Sequence, residues 1–151
     1  SGQSTAGATH LIKVAVEAAT GRRSHVSVFG TDFDTRDGTG VRDYIHVSDL
    51  AAAHVSALDL LRADPGRSHT LNCGYGRGFS VLEVLDTVRQ VVGRDFDVRM
   101  AERRPGDASA IVADATIARQ AFGWEPRYDD LPLIVRHALD WEEALGRRNA
   151  L

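Results

Sequence analysis

Two arginines carry the most legible chemistry in this sequence. Arg42 follows Gly38-Thr39-Gly40, and Arg104 stands in the run Arg103-Arg104-Pro105-Gly106-Asp107. The glycines before Arg42 leave room for a ligand to approach closely, and the Pro-Gly turn presents a cation and a carboxylate together. A planar guanidinium offers paired N–H donors that match diphosphate oxygens, while a carboxylate can accept from ribose or sugar hydroxyls. The competing reading pairs each arginine with a nearby aspartate as solvated surface decoration. Residue types alone leave both readings open.

Other catalytic templates do not occur. There is no Gly-x-x-Gly-x-x-Gly run, no Walker loop and no Cys/His spacing suited to zinc. Nor is there a Tyr-x-x-x-Lys pair: Tyr44, Tyr75 and Tyr128 are followed four positions on by Ser48, Phe79 and Pro132. A complete dinucleotide enzyme is therefore not expected in this chain. Gly74-Tyr-Gly-Arg-Gly78 has the wrong spacing for a phosphate loop and reads as a strand-to-helix turn. His46 and His54 lack partner carboxylates at metal spacing and read as structural; Trp124 reads as a core anchor beyond a helix end.

These residues need elements to hold them. A helix is expected from Thr9 as N-cap through the run HLIKVAVEAAT to a stop at Gly21, then an alternating strand from His25 to Phe29. A long Asp/Thr/Gly loop leads to a second strand, Arg42 to Val47. Ser48 or Asp49 can cap a helix from Leu50 to about Arg62. A third strand is expected from His69 to Cys73. Ser80 with Glu83 reads as a capping box and Phe79 with Val84 as a hydrophobic staple, opening a helix that stops at Gly93. Strands follow at Phe96 to Met100 and Ile111 to Ala113. Asp114 then caps a short helix to Phe122, and Asp130 caps the last one, with Pro132 in its first turn. The alternation argues α/β.

With 151 residues and 43 % apolar composition, one domain with a real core is expected. A net charge of -3, with Lys and Arg scattered in short pairs, provides no general basic field, so nucleic acid is not expected as a partner. No apolar run approaches a membrane span. A single cysteine, Cys73, fits a reducing, cytoplasmic setting. Residues 1–7 read as an appended or flexible lead-in, 8–145 as the domain and 146–151 as a tail. Position 1 is Ser and the one methionine is Met100, so a piece of a longer gene product is expected.

Taken together, several runs resemble the C-terminal half of the UDP-glucose 4-epimerase family, within the extended short-chain dehydrogenase/reductase superfamily. They are His10-Leu11-Ile12, Gly21-Arg22-Arg23, Val28-Phe29-Gly30-Thr31-Asp32, Asp37 through Val47, Asp49-Leu50-Ala51, Arg103 through Asp107, Ala113-Asp114 and Gly123-Trp124. The likeness covers about residues 8–145. It implies an α/β substrate-binding part without the N-terminal Rossmann half, which in this family holds NAD and supplies the Tyr/Lys pair. NAD is accordingly expected in the intact enzyme and no cofactor in this chain.

By the same resemblance, His10 and Leu11 would lie near the nucleotide, and the backbone around Ser27 and Phe29 would contact uracil. Arg42 and Arg104 would clamp the diphosphate and Asp107 would take a ribose hydroxyl. Ile111 occupies the family's gatekeeper position beside the sugar, where bulk decides whether N-acetylated sugars fit. The ligand implied is a UDP-sugar. The strand and helix after Arg42 would normally pack on the Rossmann half, so their uncovered apolar faces imply a homodimer or a domain-swapped assembly. A stand-alone nucleotide-binding or interaction module, and another nucleotide-sugar epimerase or dehydratase, remain alternatives.

Overall fold

The computed structural model describes residues 2–5 and 7–149. The element order is α1 (Leu11–Ala19), β1 (Val26–Phe29), β2 (Val41–Arg42), α2 (Val47–Ala63), β3 (Phe79–Ser80), α3 (Val81–Val92), β4 (Val98–Ala101), β5 (Ala110–Ile111), α4 (Thr116–Phe122) and α5 (Leu131–Asn149). Its strands form two small sheets. β1 pairs in parallel with β4, Val26 opposite Val98 and Phe29 opposite Ala101. β2 lies between β3, antiparallel, and β5, parallel, with Arg42 opposite both Phe79 and Ile111.

The main core is built by α1, α3 and α5 against β1. Val16, Val26, Val28, Val84, Leu85, Val88 and Val135 are fully buried there. The helical repeat of apolar residues in α1 and α3 places these side chains on one face of each helix. Ser80 accepts the Glu83 N–H at 3.1 Å while the Glu83 carboxylate accepts the Ser80 N–H at 2.8 Å, which is the expected capping box. Phe79 packs against the same core as Val84. Gly93, in the left-handed conformation at φ 73, closes α3. A second, small cluster joins Ala53 of α2, Ala115 and Trp124.

Several boundaries differ from the sequence reading. The strand expected from Arg42 to Val47 is reduced to Val41–Arg42, because both neighbouring strands are only two residues long. Beyond it the Asp43 carboxylate turns aside to accept the Ala113 N–H at 2.9 Å. Residues 69–73 form no strand, since no backbone ladder lies beside them among the described residues. α2 begins at Val47 and is capped by neither Ser48 nor Asp49: His46 is the N-cap, its Nδ1 accepting the Ser48 N–H at 3.0 Å. The N-cap of α1 is His10 rather than Thr9, without a side-chain cap bond. Asp114 accepts the Thr116 N–H one position outside α4, whose N-cap is Ala115.

At the ends, the Trp141 indole donates to the Gln3 carbonyl at 3.0 Å, so part of the expected lead-in rests on α5. α5 itself runs to Asn149, and residues 146–149 of the expected tail are helical. Ser1, Ala6 and residues 150–151 lie outside the described residues. Among the described residues no helix is long and apolar enough to cross a membrane.

Candidate functional site

The two arginine motifs meet because of strand pairing. β4 lies beside β1 and β5 beside β2, so the turn between β4 and β5, residues 102–109, is strung between the ends of the two sheets. The first pairing brings Arg104 over Phe29, its guanidinium carbon 4.7 Å from the ring centroid. The second brings Arg42 to the far end of the turn, where it donates to the Ala108 carbonyl at 2.9 Å and to its neighbour Val41 at 2.7 Å. Arg104 Nε donates to the Asp107 carboxylate at 2.9 Å.

A cavity of about 600 Å³ opens at this junction. Leu11, Ser27, Phe29, Arg42, Arg104 and Asp107 all line it. These are six of the eight residues singled out from the sequence. The other two lie elsewhere. His10 borders a separate cavity of about 820 Å³ with Lys13, His46, His137 and Trp141. Ile111, 55 % exposed on β5, does not line the cleft, although its backbone is the cross-strand partner of Arg42.

Three further residues of the cleft escaped the sequence reading. Tyr44 lines it, and burial, only partly offset by Arg42, pushes its phenol up to about 12. Its position two residues after Arg42 was a usable signal, because alternate residues of an extended segment share a face. Arg23 also lines the cleft, held by Glu17 at 2.8 Å and by the Ala8 carbonyl at 3.3 Å. Phe33 closes one side, with the Arg103 guanidinium 3.9 Å above its ring and Arg103 Nε on Asp32 at 2.9 Å. Arg23 falls in the Gly21-Arg22-Arg23 run but was given no role, and no short-range signal marks Phe33.

Arg23, Arg42 and Arg104 against the single carboxylate of Asp107 in the cavity lining make the cleft suited to an anion. Arg104 is exposed and Asp107 half-buried, so their pair contributes about 1 kcal/mol or less and a stronger acceptor such as a diphosphate can displace it. Thr9 and Leu11 border the cavity at the α1 N-terminus, where the His10 side chain caps none of the free amides.

The histidines serve the framework. His46 is buried, stacks on Tyr128 with ring centroids 4.5 Å apart, and bonds through Nε2 to His137 Nδ1 at 2.9 Å. His54 bonds to the Leu50 carbonyl within its own helix. Trp124 is buried and donates to the Asp49 carbonyl. The 74–78 turn is spaced by packing: a Cβ at Gly74 would meet Asp43 and Ala113. Among the described residues no group of three His, Cys, Asp or Glu could hold a metal.

A mixed α/β unit with this arrangement is the C-terminal part of an extended short-chain dehydrogenase/reductase. The chain belongs to the GDP-mannose 4,6 dehydratase family, whose model matches residues 2–135. It is 56 % identical over 144 residues to UDP-glucose 4-epimerase of Azospirillum brasilense, covering 95 % of this chain and 41 % of that protein. Against UDP-glucose 4-epimerase of Rhizobium meliloti it is 52 % identical over 141 residues, covering 93 % and 42 %. The chain thus spans about two fifths of the length of these relatives.

Solved structures agree. UDP-glucose 4-epimerase from Stenotrophomonas maltophila with bound NAD and formylated UDP-arabinopyranose superposes with a TM-score of 0.89 at 42 % identity, covering 97 % of this chain and 43 % of that one. The UDP-Glc/GlcNAc 4-epimerase from Campylobacter jejuni superposes with a TM-score of 0.80 at 49 % identity, covering 95 % and 43 %.

Proposed function

We propose that this chain is the UDP-sugar-recognising part of a UDP-glucose 4-epimerase, the intact enzyme interconverting UDP-glucose and UDP-galactose through a 4-keto intermediate with NAD. The observation that carries the reading is the single cavity lined by Leu11, Ser27, Phe29, Arg42, Arg104 and Asp107. Arg42 and Arg104 take the diphosphate, Asp107 a ribose hydroxyl and the backbone around Ser27 and Phe29 the uracil, with Leu11 near the nucleotide. His10 joins the nucleotide and Ile111 the sugar when the rest of the enzyme closes the cleft. The chain has no glycine-rich turn of dinucleotide spacing and no Tyr-x-x-x-Lys pair, so on this reading the rest of the intact enzyme holds NAD. The chain alone is inactive, and its compartment is the cytoplasm.

The apolar side of α2 supports a partner as well. Val47, Val55, Leu58 and Leu61 are 62, 61, 53 and 46 % exposed. On this reading the face packs against the Rossmann half in the intact enzyme and against a second copy, as a homodimer or domain-swapped assembly, when the chain is alone.

Calorimetry with UDP, GDP and uridine tests the site. UDP binds most tightly, in the millimolar range, and loss of either Arg42 or Arg104 to Ala weakens it about tenfold or more. GDP binding as tightly as UDP would overturn the uracil assignment, and no UDP binding at all would overturn the site.

A further inference from the structure

Arg42 sits in a strand of two residues between two other strands of two residues. Ladders this short cannot by themselves fix a side chain. Besides the Arg42 bonds to the Val41 and Ala108 carbonyls, a carboxylate outside the cleft holds the segment. One oxygen of Asp37 accepts both the Thr39 backbone N–H at 2.9 Å and the Thr39 hydroxyl at 2.7 Å. Its other oxygen accepts the Ser80 hydroxyl.

Each of those partners is committed on its far side. Ser80 is the N-cap of α3 and accepts the Glu83 N–H. Thr39 is fully buried, and its hydroxyl oxygen takes the Leu82 N–H at 3.4 Å. The next carbonyl, Gly40, accepts the Val81 N–H at 3.1 Å. The chain can make this loop because Gly38, at φ 78, carries no Cβ; one there would strike the Thr31 carbonyl.

Two hydroxyls and one amide surround Asp37 with donors, an arrangement that favours the ionised carboxylate. Burial opposes its charge, but the Ser80 and Thr39 bonds outweigh burial and hold the carboxyl below its ordinary range. Asp37 does not line the cleft.

We propose that Asp37 is the positioning residue of Arg42: it fastens residues 39–42 to the N-terminus of α3 and so holds the Arg42 guanidinium where a nucleoside diphosphate meets it. The inference rests on the cleft being a nucleotide site, but its mechanical half does not.

Two readouts test it on the full chain. In Asp37→Asn, which keeps one carbonyl oxygen but turns an NH₂ toward Ser80, amide exchange at Val41 and Val81 accelerates about tenfold, while Val28 and Met100 in the other sheet are unchanged. UDP affinity falls about fivefold in this variant, yet adding Asp37→Asn to Arg42→Ala costs no more than about twofold. Thr39→Val, isosteric and lacking the hydroxyl, reproduces the pattern if Asp37→Asn does not fold. Unchanged exchange at Val41 and Val81 overturns the proposal whether or not UDP binds. An equal loss of affinity with and without Arg42 also overturns it, by making the role generally structural. Failure of the unaltered chain to bind UDP overturns the nucleotide reading, and with it the claim on ligand, while the exchange data still decide the hold on residues 39–42.

Discussion

The Asp49 carboxylate, in the first turn of α2, accepts the backbone N–H of Tyr128 at 2.9 Å across 79 positions of chain. It also takes the Arg127 N–H at 2.9 Å and the Tyr75 hydroxyl at 2.6 Å. One side chain thus joins α2, the 74–78 turn and the approach to α5.

Replacing Asp49 by Ala leaves three inward donors without an acceptor at a site only 2 % exposed. The expected loss is about 3 kcal/mol, with Asp49→Asn in between, read from chemical unfolding followed by Trp fluorescence. A loss within experimental error of zero would show that water reaches these groups.

Acid should weaken the chain through His46. Its Nδ1 accepts from Ser48, so the hydrogen lies on Nε2 and points to His137, and a second proton would displace the cap. Burial and the neighbouring His137 lower its proton affinity, against the pull of Asp49. The unfolded chain therefore binds the proton more readily, and stability falls as pH drops below about 6.5, levelling once the folded form also titrates. Urea midpoints between neutral pH and pH 5 measure this. His46→Asn, which can cap without titrating, flattens the slope.

Much of this was legible in the sequence where the determinants are local. Ser80 and Glu83 are three residues apart and announced α3; Gly93 marked its end. His46 was missed as a cap because histidine is outside the usual N-cap set. The strands were overextended because β propensity in residues 43–47 and 69–73 reports side-chain preference, whereas a strand exists only with a partner. Arg42 and Arg104 each stood out by type. Their meeting depends on β1–β4 and β2–β5 pairing across some seventy positions, which no local pattern encodes.

Phe29 beneath Arg104 gives a separate handle on the cleft. Phe29→Leu keeps bulk but removes the ring, and weakens UDP about threefold by calorimetry, whereas Phe29→Tyr retains most of the affinity. Equal affinities for all three would remove the ring from the site.

Self-association through the exposed face of α2 is the expected behaviour of the chain alone. Sedimentation at rising concentration should show dimers, which Leu58→Glu combined with Leu61→Glu abolishes without lowering the unfolding midpoint. A strictly monomeric unaltered chain sinks the prediction.

α2 is bolted at one end only. Asp49 and Ala53 are its buried residues, both in the first two turns, and the later turns are half-buried or exposed. Its distal turns can therefore open without disturbing either core, and they end beside the exposed Arg62, with Arg67 exposed beyond Pro65-Gly66. A protease specific for basic residues would find its first cut there, and any molecule that lies along α2 would announce itself by closing that cut.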